Sequence, residues 1–254
     1  MALRRKHKIA IALLSLTVVL LAGGISFMLK RHVSHIQTAD TAAYPINGID
    51  ISAHNGNVDL KKAKASGVGF VIIKASEGES FRDSLFERNY RQATEAGLEI
   101  GAYHFFRFDV DGISQARNFL NAVAGKQFSL PLTIDVENHT NPYTPFPETV
   151  TRELRNMVDA LAARKYPVMI YTNKKGFDNL IRDQFKDCHL WICTFSQPDD
   201  SLAWILWQHS HRGHVDGIEG RVDLDIFNGD SAQWAKWTEQ TKAQFKESTA
   251  LFSQ

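Results

Sequence analysis

The chain has 254 residues, of which 44% are apolar and 22% are charged, and its formal net charge is +1. This is the composition of an ordinary globular protein, and its length fits one large domain or two small ones. A nearly neutral chain without a basic stripe gives no reason to expect a nucleic-acid partner.

The first 31 residues predict a membrane anchor. The uncharged run IAIALLSLTVVLLAGGISFML fills residues 9–29, and as a helix it spans roughly 30 Å, enough to cross a bilayer. Four Lys or Arg residues precede it, and Lys30 and Arg31 follow it, which favours a cytoplasmic N-terminus. We expect one uncleaved transmembrane helix in residues 1–31, with the rest of the chain periplasmic or extracellular. A signal peptide cleaved near Ala22–Gly24 is the alternative, and it would release a secreted protein.

After a polar linker, 32–45, apolar runs alternate with helical stretches. The runs are GIDIS (48–52), FVIIKAS (70–76), EIGAYHFF (99–106), LPLTIDVE (130–137), VMIYTN (168–173), HLWICTF (189–195), WILWQHS (204–210) and RVDLDIF (221–227). The alternation predicts βαβ units in an α/β fold, and eight strands predict a TIM-like barrel. The connections 196–203 and 211–220 are too short for good helices, so we expect the last strands to pair antiparallel. A doubly wound open sheet is the alternative.

The segment 231–254 is mostly polar and helix-prone, with Trp and Phe residues spaced along it. It predicts a C-terminal amphipathic helix that packs on the barrel. The two cysteines, Cys188 and Cys193, would lie about 16 Å apart in one extended segment, which is too far for a disulfide. We therefore expect two free thiols.

The segment Asp135-Val136-Glu137 ends a predicted buried strand with two acids. Residues i and i+2 of a strand point to the same face, so both carboxyls would share one patch. Neighbouring carboxylates push their pKa values apart, and one can stay protonated while the other is ionised. Cleavage of a glycosidic bond uses such a pair. A loop that begins with two solvated acids is the competing interpretation.

The other predicted strands also end in polar and aromatic residues, which a barrel would gather at one face. These residues are Asp50, Ser52, Lys74, Glu77, Tyr103, His104, Tyr171, Asn173, Trp191, Trp207, Gln208, Asp223 and Asp225. Aromatic rings can stack on the apolar faces of sugars, and carboxylates can bind sugar hydroxyls. The set therefore predicts a cleft for a sugar chain.

The ordered series GIDIS, FVIIKASEG, GAYHFF, TIDVE, WQHS and GRVDLDIFNG resembles the motifs of the glycoside hydrolase family 25 muramidases, the Chalaropsis-type lysozymes. The resemblance implies a (β/α)5(β)3 barrel over residues 46–230 that cleaves the β-1,4 bond between N-acetylmuramic acid and N-acetylglucosamine in peptidoglycan. It implies Glu137 as the general acid and Asp135 as its partner, with Asp50 and Asp223 as further cleft acids. The substrate contacts that it implies are Tyr103, Tyr171, Trp191, Trp207, Lys74 and Gln208.

Some positions depart from the family pattern, and they bear on which sugars each subsite prefers. Leu60 stands where Trp is frequent, Cys193 where Ala is usual, Phe195 where Tyr is common and His209 where Tyr is common. None of them removes an acid. Retention by attack of Asp135, retention through the substrate's acetamido group, and inversion by an activated water all stay open.

We expect a monomer without a cofactor or metal, acting on peptidoglycan glycan strands. A metal-dependent amidase is one alternative, because His209 and His211 would share a strand face, but no recognised ligand spacing supports it. A non-catalytic peptidoglycan-binding module is another, and it would predict the loss of a cleft acid.

Overall fold

The computed structural model describes residues 43–141, 146–199 and 201–251. Within these ranges no helix is both long and apolar enough to cross a membrane. The expected transmembrane helix in residues 1–31 lies outside the described residues, as does most of the expected linker.

The strands form a closed barrel. They are β1 (Asn47–Ile51), β2 (Phe70–Glu77), β3 (Phe81–Arg82), β4 (Glu99–Phe105), β5 (Leu132–Asp135), β6 (Val168–Asn173), β7 (His189–Cys193), β8 (Trp204–Gly213) and β9 (Val222–Phe227). The order is β1-β9-β8-β7-β6-β5-β4-β2, and pairing of β1 with β2 closes the ring. The short β3 folds back on β2 as an antiparallel hairpin outside that ring. The open doubly wound sheet is thereby excluded.

The direction of the last strands was predicted in part. Strand β9 pairs antiparallel with both β8 and β1, as expected. The antiparallel expectation is wrong for β8, which pairs parallel with β7. Its ten-residue connection, 194–203, holds no helix in its described part, yet an extended chain of that length can reach about 33 Å, enough to run back along a five-residue strand.

The helices cover the outside of the barrel. They are α1 (Leu60–Ala65), α2 (Phe86–Ala96), α3 (Gly112–Val123), α4 (Pro147–Ala162) and α5 (Ser231–Leu251), and the helical turn Lys174–Gly176 continues as the π-helical segment Phe177–Ile181. The side chains of Asp59 and Asp111 cap α1 and α3 by accepting backbone N–H groups, as aspartate favours at this position. Five strand–helix units followed by three strands give the expected (β/α)5(β)3 order.

Apolar side chains fill both the barrel and the layer beneath the helices. Phe70 fills the inside so tightly that a Cβ on Gly48 would come within 2.2 Å of its ring. Trp234 of α5 packs on the rings of Phe70 and Phe227, with centroids 5.1 and 5.0 Å apart. Helix α5 therefore closes one end of the barrel, and Phe245 anchors its far half against Phe128.

Candidate active site

A polar cleft of about 520 Å³ opens where the parallel strands end. Its lining comprises Asp50, His54, Lys74, Glu77, Tyr103, Phe105, Arg107, Asp135, Glu137, His139, Thr140, Tyr171, Trp191, Gln208, His211 and Asp223. Nine of the ten residues predicted for the site are in this set, and Trp207 is missing from it. The barrel thus brings together residues that lie far apart in the sequence.

Hydrogen bonds to the neighbouring strand β6 continue past the end of β5 into the D-x-E segment. The Val136 amide donates to the Tyr171 carbonyl at 2.9 Å, and the Thr172 hydroxyl donates to the Val136 carbonyl at 2.8 Å. Val136 itself is fully buried, so Asp135 and Glu137 point to the opposite side, into the cleft. The expectation that both acids share one face is confirmed.

Burial is the main influence on both acids of the pair. It raises the pKa of Asp135 well above the ordinary value; the Glu137 charge adds to this rise, and Lys74 opposes it. It also raises the pKa of Glu137, against the opposing influence of His211, Asn173 and His139. Two carboxyls this close titrate as one unit, so the pair holds a proton at higher pH than free carboxyls do.

One oxygen of the pair is unsatisfied. Asp135 is only 8% exposed, and its Oδ1 atom has no hydrogen-bond partner among the described residues. A buried polar atom without a partner carries a free-energy cost. A ligand that donated a hydrogen bond at this position would remove that cost.

A second group of polar side chains lies buried beneath the cleft. Gln208 Nε2 donates to Asp50 Oδ2 at 2.7 Å, and the Tyr171 hydroxyl donates to Gln208 Oε1 at 2.8 Å. Trp191 Nε1 donates to Asp225 Oδ1 at 2.9 Å. Tyr171, Trp191 and Gln208 are each at most 5% exposed. These three side chains therefore hold the deep acids in place.

The deep acids come from the first and last strands of the barrel. Asp50 of β1 lies opposite Asp223 of β9 in the antiparallel register. Burial, followed by the charges of Asp225 and Asp223, raises the pKa of Asp50 well above the ordinary value. Burial, followed by the charge of Asp223, also raises the pKa of Asp225 well above the ordinary value. Asp50 and Asp225 therefore keep their protons to higher pH than exposed acids do.

Some residues in or beneath the cleft were not among the ten predicted catalytic and substrate-binding residues. Asp225 had a sequence signal, because alternation in VDLDIF places it on the same strand face as Asp223. Glu77 binds Lys74 at 2.8 Å and lies three residues beyond it. His54, Arg107 and His139 lie in connections without periodicity, where the sequence carried no signal.

Two expectations on β8 are wrong. Trp207 is 2% exposed and packs against Trp204 and Tyr44, away from the cleft; since Gln208 faces inward, its neighbour must face outward. His209 and His211 do not share the cleft face, because only His211 lines it. His209 instead packs on the Trp207 ring. No set of three metal-ligating side chains occurs in the part of the chain that the structure describes.

The sequence model of the family described as "Glycosyl hydrolases family 25" matches residues 49–218. That stretch is well over half of the chain and includes the D-x-E pair. The chain belongs to glycosyl hydrolase family 25. The match ends before Asp223 and Asp225, so only the barrel geometry connects these two acids to the site.

Several known proteins are similar to this chain in sequence or in fold. The chain is 35% identical to the uncharacterized protein YegX of Escherichia coli strain K12, over 84% of this chain and 80% of YegX. It is 34% identical to the autolytic lysozyme of Clostridium acetobutylicum, over 72% of this chain and 56% of that protein. A family 25 glycosyl hydrolase from Bacillus anthracis has the same fold, with a TM-score of 0.72 and 32% identity, covering 80% of this chain and 96% of that chain.

Proposed function

We propose that this family 25 enzyme is a muramidase that hydrolyses the β-1,4 bond between N-acetylmuramic acid and N-acetylglucosamine in peptidoglycan. The Clostridium relative is named a lysozyme, which supports the substrate class. The observation that carries the proposal is the Asp135–Glu137 pair in a polar cleft, with a buried Asp135 oxygen that has no partner among the described residues. A non-catalytic binding module fits less well, because the cleft keeps all four predicted acids. A metal-dependent amidase fits less well, because the described residues contain no metal-binding cluster.

Glu137 is the proposed general acid. Its pKa is raised by burial, so it keeps its proton into the pH range where a free carboxyl is ionised. It donates that proton to O4 of the leaving sugar while the glycosidic bond breaks. Asn173 is oriented for this site, because its Oδ1 accepts the Gly176 amide at 2.9 Å and leaves its NH₂ group to donate to the Glu137 carboxylate.

Asp135 is the proposed partner that handles positive charge at the anomeric carbon. Its Oδ1, which has no hydrogen-bond partner in the described part of the chain, suits acceptance of the N–H of the substrate's 2-acetamido group. The carbonyl oxygen of that group then attacks the anomeric carbon. That hydrogen bond favours ionised Asp135 and lowers its pKa, which moves the proton of the pair toward Glu137. Water then opens the cyclic intermediate with Glu137 as the base, and the configuration is retained.

The other predicted residues divide into two proposed roles. Lys74 and Tyr103 line the open cleft and contact the glycan; Glu77 binds Lys74 at 2.8 Å, and the Phe105 ring lies 5.1 Å from its Nζ atom. Tyr171, Trp191 and Gln208 position Asp50 and Asp225 through their buried hydrogen bonds. Asp50 and Asp223 shape the cleft around the reacting sugar.

The proposed setting follows from the sequence. We propose a catalytic domain of residues 46–230 followed by the C-terminal helical segment 231–254. It acts as a monomer in the periplasm or cell exterior, joined by the linker 32–45 to a membrane anchor in residues 1–31. Peptidoglycan glycan strands are its partner, and the proposed reaction uses no cofactor.

The test is digestion of purified peptidoglycan with the protein, its Glu137→Gln variant and a Glu95→Gln control. Glu95 is exposed on α2 and pairs only loosely with Lys61, at 3.6 Å. New reducing-end muramic acid, read by mass spectrometry, should fall about 10² to 10⁴-fold in Glu137→Gln, because a general acid contributes that much. It should stay unchanged in the control. Release of stem peptides that a chelator stops would establish an amidase instead, and wall binding without cleavage would establish a binding module.

A further inference from the structure

Strand β8 carries an irregularity that changes which residues face the cleft. Its pairing with β9 shifts register between Gln208 and Ser210, and again between Ser210 and Gly213. Positions 208 and 211 of a regular strand face opposite sides, yet Gln208 and His211 both line the cleft. An extra residue in a bulge inverts the alternation, and bulges often re-aim side chains beside active sites. The bulge therefore turns His211 into the cleft.

Three neighbouring side chains hold the His211 ring. Its Nδ1 atom lies 3.2 Å from Asp223 Oδ1, and its Nε2 atom lies 3.7 Å from Cys193 Sγ. The Phe195 ring meets it edge to face, with centroids 4.8 Å apart. Because a carboxylate only accepts hydrogen bonds, Nδ1 is the protonated nitrogen. This contact also favours the doubly protonated, cationic ring.

Titratable groups face His211 from three elements. They are Asp223 on β9, Glu137 after β5 and Cys193 on β7. The hydrogen bond to Asp223 is the first cause that raises the pKa of His211; the charges of Asp223 and Glu137 add to it, and burial opposes it. The pKa of Cys193 is raised by burial to about 12, so its thiol stays neutral and places no charge beside the ring.

The charge of His211 also affects the pKa of Glu137. Among the influences that lower the pKa of Glu137, His211 comes first, ahead of Asn173 and His139, whereas burial and Asp223 raise that pKa. The charge of Glu137 also raises the pKa of Asp135, so these two carboxyls titrate together. His211 and Glu137 line the same cleft, and among the cations that lower the pKa of Glu137, His211 comes first.

We propose that His211 is a positioning residue of the muramidase: held by Asp223, its imidazolium lies beside Glu137 and sets the upper pH limit of catalysis. The inference rests on the proposed function of Glu137. When Glu137 gives its proton to the leaving oxygen it becomes a carboxylate, and a fixed neighbouring cation stabilises the charge that develops. The same cation makes Glu137 lose its proton at lower pH in the free enzyme. His211 thus favours proton transfer and narrows the range of pH in which the transfer is available.

The activity test compares kcat/KM on purified peptidoglycan as a function of pH for the protein, His211→Gln, His211→Lys and the control His209→Gln. Removing the cation should keep Glu137 protonated to higher pH. The alkaline limb of the kcat/KM profile, where activity falls as pH rises, should therefore shift to higher pH in His211→Gln. His211→Lys carries a permanent charge and should bring the limb back to the original position or below it. His209 packs on Trp207 outside the cleft, so His209→Gln should leave the limb in place. An unmoved limb in His211→Gln, or equal shifts with Gln and Lys, would overturn the proposal.

A second measurement needs no activity. The ring titration of His211 is followed by NMR in the protein and in Glu137→Gln, with His211→Gln to assign the signal. Loss of the neighbouring carboxylate should lower the titration midpoint of His211, because coupling between two sites is reciprocal. An unchanged midpoint would overturn the inference. Absence of peptidoglycan cleavage by the unaltered protein would instead overturn the proposed function, whatever the titration shows.

Discussion

The buried bridge formed by Gln208 gives a stability prediction whose size follows from the structure. Gln208→Leu keeps nearly the same volume but leaves both the Tyr171 hydroxyl and Asp50 Oδ2 without the bonds of 2.8 and 2.7 Å that they now make. Each buried polar group that loses its partner costs about 1 to 3 kcal/mol. We expect the free energy of unfolding to fall by about 2 to 6 kcal/mol, a large share of the 5 to 15 kcal/mol typical of a folded protein.

The assay is urea unfolding of the purified protein, followed by circular dichroism, in a double-mutant cycle with Tyr171→Phe. Tyr171→Phe removes the hydroxyl that Gln208→Leu would leave without a partner. The free energy of unfolding of the double variant should therefore fall by about 1 to 3 kcal/mol less than the sum of the two single losses. Gln197→Leu is the control: Gln197 makes an exposed 3.3 Å contact with the Tyr44 hydroxyl and should change stability by less than about 0.5 kcal/mol. Additive losses, or a Gln208→Leu loss no larger than the control, would refute the reasoning.

Two further predictions concern the fold. Burial lowers the pKa of His104 to about 3. Below pH 6.5, His104 therefore binds a proton in the unfolded chain but stays neutral in the folded one. The free energy of unfolding should therefore fall by about 5 kcal/mol between pH 6.5 and 3, at 1.36 kcal/mol per pH unit. The urea midpoint of His104→Gln should fall less over this range; the same dependence of the midpoint on pH in both proteins would contradict the prediction. Gly112→Ala would place a Cβ 1.8 Å from the Glu153 carbonyl oxygen, forcing α3 and α4 apart. Thermal unfolding should show a loss of about 1 to 3 kcal/mol, whereas the exposed neighbour Ile113→Ala should change little; similar melting temperatures would argue against the close contact.

The barrel was predictable because local sequence patterns indicate its strands and most of its helices. The apolar runs and the helical stretches between them predicted the eight strands of the barrel and their order, but not the short β3. The D-x-E spacing placed Asp135 and Glu137 on one face. Alternation could also have corrected one error, since Trp207 and Gln208 are adjacent on a strand and cannot both face the cleft.

Other features depended on partners distant in sequence. The bulge that turns His211 inward exists only in the pairing of β8 with β9, which the β8 sequence alone does not reveal. Likewise, His54 and His139 reach the cleft because of where their loops run, and loops carry no periodic signal. The buried roles of Tyr171 and Trp191 follow from their opposite positions on β6 and β7, where their rings are 4.5 Å apart.

Closure of the barrel by β1 and β9 has a consequence for when the enzyme becomes active. Asp50 and Asp223 face each other in that pairing, although they stand near the beginning and the end of the barrel sequence. Contacts so distant along the chain are slow to form, because a large loop must be closed first. A chain that has folded only as far as β8 has Asp135 and Glu137 but neither Asp223 nor Asp225. The complete set of acids therefore comes together only when the last strand docks, and an incompletely folded chain lacks the finished cleft.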